Sequence, residues 1–377
     1  MVEWAEFQNR KKLLGNYIKE QGIDVFFVFN PYNLFYLTRF FHVSTERPLV
    51  YAMTADGKAH ILSPALEEGE ARKLPVVDSV KGYFEFPGTG DILGDFFASL
   101  ARDGNIKARA DSLSLGRYQD LQKRFQDVGL SDAVEKMRLI KSPYEIGLLK
   151  KAAVYANFIV TEGFKIAKPG MTEMELLSII EQKTISKMVQ ELDEIIYVPG
   201  GPAGGLVPSG DRTALPHALP SARIINQGEN MILSCGANVE GYRIECERTF
   251  FLGQPSARHR EAFLLMAQAQ KMAVSLMKPG AGCRDIDNTV LDFIRDKGYS
   301  DALKHRVGHG KGLEEHEAPW IESGDPTALA PGMVVSAEPG LYIDGFAGFR
   351  HSDTVLITET GNELLSSVTR ELEELIY

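Results

Sequence analysis

One plan occurs twice in this chain, and that duplication constrains the fold more than any other feature. "AKPGMTEMELLSIIE" (Ala167 to Glu181) and "MKPGAGCRDIDNTVLDFI" (Met277 to Ile294) each follow an amphipathic helical stretch that stops at Lys-Pro-Gly, and each restarts a helix. Proline past a helix end and glycine in the turn are ordinary stop signals, so one of them says little. Two in the same helix–turn–helix–strand context imply duplicated halves. A cleft between such halves is a place where ligand sites form. At the first restart, Thr172 and Glu175 have the spacing of a capping box.

A chain of 377 residues is too long for one ordinary core, so a second domain is expected. The leading third supplies it. "EWAEFQNRKKLLGNYIKEQG" has apolar residues at helical spacing, and "IDVFFVFN", "GKAHILS" and "IKARADS" read as strands. "ALEEGEARKL" and "YQDLQKRFQDV" read as helices among them. This predicts an α+β protein: a small mixed α/β domain over 1–135, then a larger domain over 136–377 with pseudo-twofold halves. Near the junction, Ser142, Pro143 and Glu145 predict a capped helix start.

Several function classes are excluded. The net charge is −10 with no basic run, which argues against a nucleic-acid groove. No apolar run is long enough for a bilayer, and "MVEWAEFQNRKK" lacks the apolar core of a signal peptide, so a cytoplasmic protein is expected. The three cysteines, Cys235, Cys246 and Cys283, form no CxxC pair and read as reduced, buried thiols.

Chemistry is suggested by "GYRIECERTFF" (Gly241 to Phe251). In a strand, side chains alternate between faces, so Arg243, Glu245, Glu247 and Thr249 share one face and Tyr242, Cys246 and Arg248 the other. Two carboxylates roughly 7 Å apart along a strand resist joint ionisation unless a cation or donor lies between them. Pairing with Arg243 and Arg248 is the bland solution. Two further stretches favour a site: "HRVGHGKGLEEHEAPW", with His309 between two glycines, and "MVVSAEPGLYIDGFAGFRHSDTVLIT", with Glu338 before Pro-Gly.

The ordered series "PHALP … GYRIECERTFF … GHGKGLEEHEAP … PGMVVSAEPGLY … GFRHSDTVLIT" resembles the Xaa-Pro dipeptidase, aminopeptidase P and creatinase family, as do "NPYNLFYLT" and "MRLIKSPYEI". The resemblance implies the pita-bread fold behind a small leading domain. It also implies five ligands for two divalent ions, and here the chain departs. Ser234 stands in place of the first aspartate and Glu245 in place of the second. His309 and Glu338 match, and Ser352 replaces the last glutamate. Neutral hydroxyls are poor substitutes for anionic oxygens on hard cations, so a two-metal centre is not expected. A single Mn, Zn or Co ion on Glu245, His309 and Glu338 is the alternative to no metal at all.

Without metal, the resemblance to creatinase makes His217 of "LPHALP" the general acid–base. Glu247 would then bind a positively charged or amide-bearing substrate, which would satisfy the carboxylates by charge-assisted hydrogen bonds. His316 and Arg350 match substrate-side positions that hold a carboxylate or oxyanion. Tyr242, His351 and Arg39 are further substrate-binding candidates, Arg39 from the partner subunit of a homodimer. The expected activity is hydrolysis of a C–N bond in a small amino-acid-like substrate or dipeptide. The alternatives are a one-metal Xaa-Pro dipeptidase and a non-catalytic binding protein.

Overall fold

Four consecutive buried residues, Val25–Val28, make the strand β1 at the middle of a sheet. The structure, a computed structural model, describes residues 3–42, 45–84, 90–101 and 106–377. It divides into two units, Met1–Arg138 and Leu139–Tyr377.

Helices α1 (Trp4–Glu20), α2 (Pro31–Thr38), α3 (Glu68–Ala71), α4 (Ile92–Leu100), α5 (Leu115–Gln122) and α6 (Ala133–Leu139) alternate with the strands of the first unit. After β1 these are β2 (Val50–Thr54), β3 (Ala59–Pro64), β4 (Ser79–Tyr83), β5 (Lys107–Ala110) and β6 (Asp127–Leu130). Among the described residues they form one mixed sheet in the order β4-β3-β2-β1-β5-β6. Phe27, Phe97, Leu121 and Phe125 belong to its core.

Two helix expectations fail here. "ALEEGEARKL" is helical only over Glu68–Ala71. The helix in "YQDLQKRFQDV" ends at Gln122, and Asp127–Leu130 pairs in parallel with β5 instead. Tertiary context overrides the local pattern: a buried Phe125 and an open sheet edge outweigh helical spacing. Helix α2 starts where Asn30 accepts from the Tyr32 and Asn33 amides. It ends at Arg39, whose φ of 61° is left-handed, a conformation that glycine adopts freely and other residues at a cost of roughly 1–2 kcal/mol.

In the second unit the duplicated plan is visible directly. Helices α7 (Pro143–Ile166) and α8 (Glu173–Glu191) precede β7 (Ala203–Leu206), β8 (Asn230–Val239) and β9 (Tyr242–Phe251). Helices α9 (Ala257–Leu276) and α10 (Cys283–Asp296) precede β10 (Gly308–Gly310), β11 (Glu317–Ile321) and β12 (Val334–Ala337). A hairpin, β13 (Gly340–Ile343) and β14 (Ala347–Arg350), leads into β15 (Ser352–Ile357) and β16 (Asn362–Leu364). Both expected capping boxes form, at Ser142 with Glu145 and at Thr172 with Glu175.

Among the described residues the large sheet runs β11-β10-β12-β15-β9-β8-β7. The two halves therefore meet where β9 pairs with β15, and at that seam Ser352 lies opposite Glu247. Helix α7 covers the sheet with Leu149, Ala152, Ala156, Ile159 and Val160, all fully buried. No described helix is long and apolar enough to cross a membrane.

Candidate active site

Strand alternation on β9 directs Arg243, Glu245 and Glu247 into a cavity of about 750 Å³. The cavity is also lined by Ser234 of β8, by His217, His305, His309 and His316, by Glu338 after β12, and by Arg350 at the end of β14. Neither expected surface pairing of the glutamates occurs. Arg243 bonds to Glu315 and to the Pro199 carbonyl. Arg248 points the other way and is fully buried against Asp353 at 2.6 Å and the carbonyls of Ser352, Val368 and Thr369.

The cations on the two glutamates come from elsewhere in the chain. Arg350 grips Glu247 with two nitrogens, Nε on Oε2 and Nη2 3.0 Å from Oε1. Its Nη2 also donates to Ser234 Oγ at 3.0 Å, and Ser234 donates to Glu247. Its Nη1 donates to Tyr342 Oη at 2.8 Å and to the Pro216 carbonyl at 3.2 Å, beside His217. Glu245 accepts from Lys311 Nζ at 2.8 Å on Oε2 and from Ser352 Oγ at 2.8 Å on Oε1. The charge that the sequence reading assigned to a substrate is thus supplied by Arg350 and Lys311.

His309 and Glu338 form the third pair. The imidazole Nδ1 donates to the Gly310 carbonyl at 3.0 Å, which turns Nε2 toward the carboxylates. Nε2 lies 3.0 Å from Glu338 Oε1 and 4.0 Å from Glu245 Oε1. It forms no aligned hydrogen bond. Ligand atoms of Glu245, His309 and Glu338 all lie within 4.8 Å of one another, close enough for one ion. Burial alone would depress the His309 pKa, but Glu338 and Glu245 reverse the effect and raise it. Burial likewise opposes ionisation of Glu338, yet His309 above all, with His305 and Arg350, holds its carboxyl well below the usual range. Burial pushes Glu247 up, to about 7, against the pull of Arg350 and with the repulsion of Glu245 and Glu338.

Three histidines complete the wall. His217 is exposed at the cavity rim. His316 packs on His309 with ring centroids 4.1 Å apart. Partial desolvation and the neighbouring His309 and Lys311 charges lower its pKa, favouring the neutral ring. His305 escaped the sequence reading. Its Nδ1 lies 2.7 Å from the Arg306 carbonyl and its Nε2 2.8 Å from Tyr342 Oη, so a chain of hydrogen bonds joins it to Arg350.

The glycines around His309 serve strand contact rather than ligand approach. A Cβ on Gly308 would lie 2.1 Å from the Ser336 carbonyl, and one on Gly310 2.2 Å from that of Ala318. Two substrate-binding expectations are corrected. His351 is fully buried away from the cavity, where it accepts from the Thr249 amide at 3.3 Å and packs edge-on against Phe263. Tyr242 is buried on the face of β9 opposite the glutamates. Both follow from strand alternation, since each neighbours an inward-facing residue. Arg39 sits at the end of α2 in the first unit. Lys311 was missed altogether; its only sequence signal is a lysine between two glycines in "GHGKG".

The pattern described as Metallopeptidase family M24 matches residues 147–359, and that of the Creatinase/Prolidase N-terminal domain matches 10–140. A Xaa-Pro dipeptidase of Lactobacillus delbrueckii subsp. lactis is 31% identical, over 96% of this chain and 98% of its own length. A solved Xaa-Pro dipeptidase from Bacillus anthracis superposes with a TM-score of 0.83 at 27% identity, over 98% of this chain and all of the other. The prolidase from Pyrococcus horikoshii gives a TM-score of 0.83 at 27% identity, over 97% and 99% of the two chains.

Proposed function

Because the chain belongs to metallopeptidase family M24, we propose that it hydrolyses the peptide C–N bond of a small, dipeptide-sized substrate at a centre holding no more than one divalent ion. Xaa-Pro dipeptides are the first substrate class to consider, since relatives of this chain carry that name. The carrying observation is the bidentate hold of Arg350 on Glu247.

The donor set does not fit a metal pair. Ser234 and Ser352 offer neutral hydroxyls, and both already bond to the glutamates. A guanidinium on Glu247 adds positive charge where a second cation would have to sit. One ion does fit: the His309 Nε2 points at two carboxylates without an aligned hydrogen bond, and a histidine with two carboxylates is a competent divalent site. Glu245, His309 and Glu338 would hold it, and it would supply polarisation of the scissile carbonyl or activation of water.

The remaining steps belong to side chains. His217, at the rim and able to reach the cleft, takes a proton from water and returns it to the departing nitrogen. His316, kept neutral, donates to the oxygen on which charge develops. Arg350 acts on the reaction by fixing Glu247 and the Pro216 carbonyl beside His217. The homodimer implied by the resemblance is part of this reading, and sedimentation velocity tests it.

The direct test is a panel of Xaa-Pro and other dipeptides followed by release of the free amino acid. Turnover of Xaa-Pro dipeptides is expected, and His217→Ala should lower kcat by about 10²–10⁴ at an unchanged unfolding midpoint. Saturable binding without turnover of any dipeptide would make the chain a binding protein instead.

A further inference from the structure

Lys311 is fully buried and not part of the cavity wall. Its three ammonium hydrogens have three acceptors: Glu245 Oε2 at 2.8 Å, the Glu315 carbonyl at 2.9 Å and Glu315 Oε2 at 3.4 Å. Its backbone is pinned on both sides. The Lys311 amide donates to the Val334 carbonyl of β12 at 2.9 Å, and the Arg243 amide of β9 donates to the Gly312 carbonyl at 2.8 Å. The ammonium is therefore held against Glu245 by the sheet itself. Glu245 is one of the three residues able to hold an ion, and its other oxygen is engaged by Ser352.

We propose that Lys311 is a tethered cation that takes over the charge-balancing place of a second metal ion, so that a divalent ion on Glu245, His309 and Glu338 is held weakly and exchanges readily. The inference rests on the one-ion centre proposed above. Two considerations support it. A buried carboxylate shared between a lysine and a metal gives each less than its full attraction. Moreover, a single positive charge across one carboxylate from a divalent ion weakens its binding by about tenfold even at the dielectric of water, and by more inside a protein. Lys311 is thus a positioning residue that acts through Glu245. Its charge, rather than its bulk, is what sets ion affinity.

The test is calorimetric titration of chelator-treated protein with Mn²⁺ alone, which needs no substrate. The variants are Lys311→Met, Lys311→Gln, Lys311→Arg and, as a control that frees a Glu245 oxygen without changing charge, Ser352→Ala. The charge-removing variants should bind Mn²⁺ at least tenfold more tightly than the unaltered chain. Lys311→Arg should stay within about threefold of it, since the charge remains, and Ser352→Ala should do the same. Lys311→Gln retains a hydrogen-bonding head and carries the test if Lys311→Met does not fold. Unchanged or weaker Mn²⁺ binding in a folded charge-removing variant would overturn the proposal, as would equal tightening by Lys311→Arg. Tighter Mn²⁺ binding by Lys311→Gln, with no dipeptide cleaved by the unaltered chain, would sustain the lysine's role and reject the hydrolase. Cleavage with unchanged affinity would do the reverse.

Discussion

The guanidinium of Arg350 meets the carboxylate of Glu247 side-on, with Nη2 3.0 Å from Oε1 and Nε on Oε2, and both side chains are almost fully buried. The pair joins the hairpin β13–β14 to strand β9 and carries Ser234, Tyr342 and the Pro216 carbonyl with it. This side of the cleft is organised by a side chain of the protein itself.

Removing Arg350 leaves the Glu247 carboxyl buried without its cation, where it must stay charged and desolvated or take up a proton. Arg350→Met should destabilise the protein by about 3–5 kcal/mol and abolish activity. Adding Glu247→Gln should recover most of that stability, because no buried carboxyl is then left without its cation, while activity stays absent. Chemical denaturation of the two single variants and the double variant measures the coupling. Equal stability of Arg350→Met and the unaltered chain would show that the pair has no structural weight.

The Gly-His-Gly segment presents His309 only because its neighbours lack side chains. Gly310→Ala would bring a Cβ to 2.2 Å from the Ala318 carbonyl, a backbone atom that cannot swing away. Strands β10 and β11 would have to part, at a cost of about 2 kcal/mol or more. A lowered unfolding midpoint together with weaker Mn²⁺ binding is the expected outcome. A tolerant Gly310→Ala would mean that the strands are not so closely apposed.

In the first unit, Asp111 accepts from the Phe29 and Asn30 amides at 2.8 and 3.2 Å and from Asn33 Nδ2 at 2.9 Å. Burial pushes its pKa up to about 6 despite these bonds, with a further push from Glu135. The folded state therefore holds this proton more tightly than the unfolded chain does. Its contribution is fully present below about pH 4 and is lost as pH rises through about 6. Relative to Asp111→Asn, the unaltered chain should lose about 2 kcal/mol between pH 4 and pH 7. Urea midpoints of both proteins across that range test the sign; parallel curves would refute it.

Much of the frame was legible in the sequence because local rules decide it. The caps at Ser142 and Thr172, the duplicated Lys-Pro-Gly plan and the alternation that sends Glu245 and Glu247 to one face all depend on near neighbours in sequence. The mixed α/β unit of creatinase/prolidase N-terminal type ahead of an M24 domain follows from them and from the motif order. Partnership was not legible. Alternation says which face a side chain takes, but not that Arg350 and Lys311, more than sixty residues from the glutamates, come to lie against them. The same alternation, applied strictly, would have removed Tyr242 and His351 from the site. The strand β6 was hidden because its pairing with β5 depends on a sheet edge that helical spacing in "YQDLQKRFQDV" does not reveal.

Elemental analysis of protein purified without chelator or added metal bears most directly on the centre. With two serines among the coordinating positions and Arg350 and Lys311 on the carboxylates, no more than one divalent ion per chain is expected, and brief dialysis should remove it. Two tightly retained ions per chain would contradict a cleft balanced by its own cations.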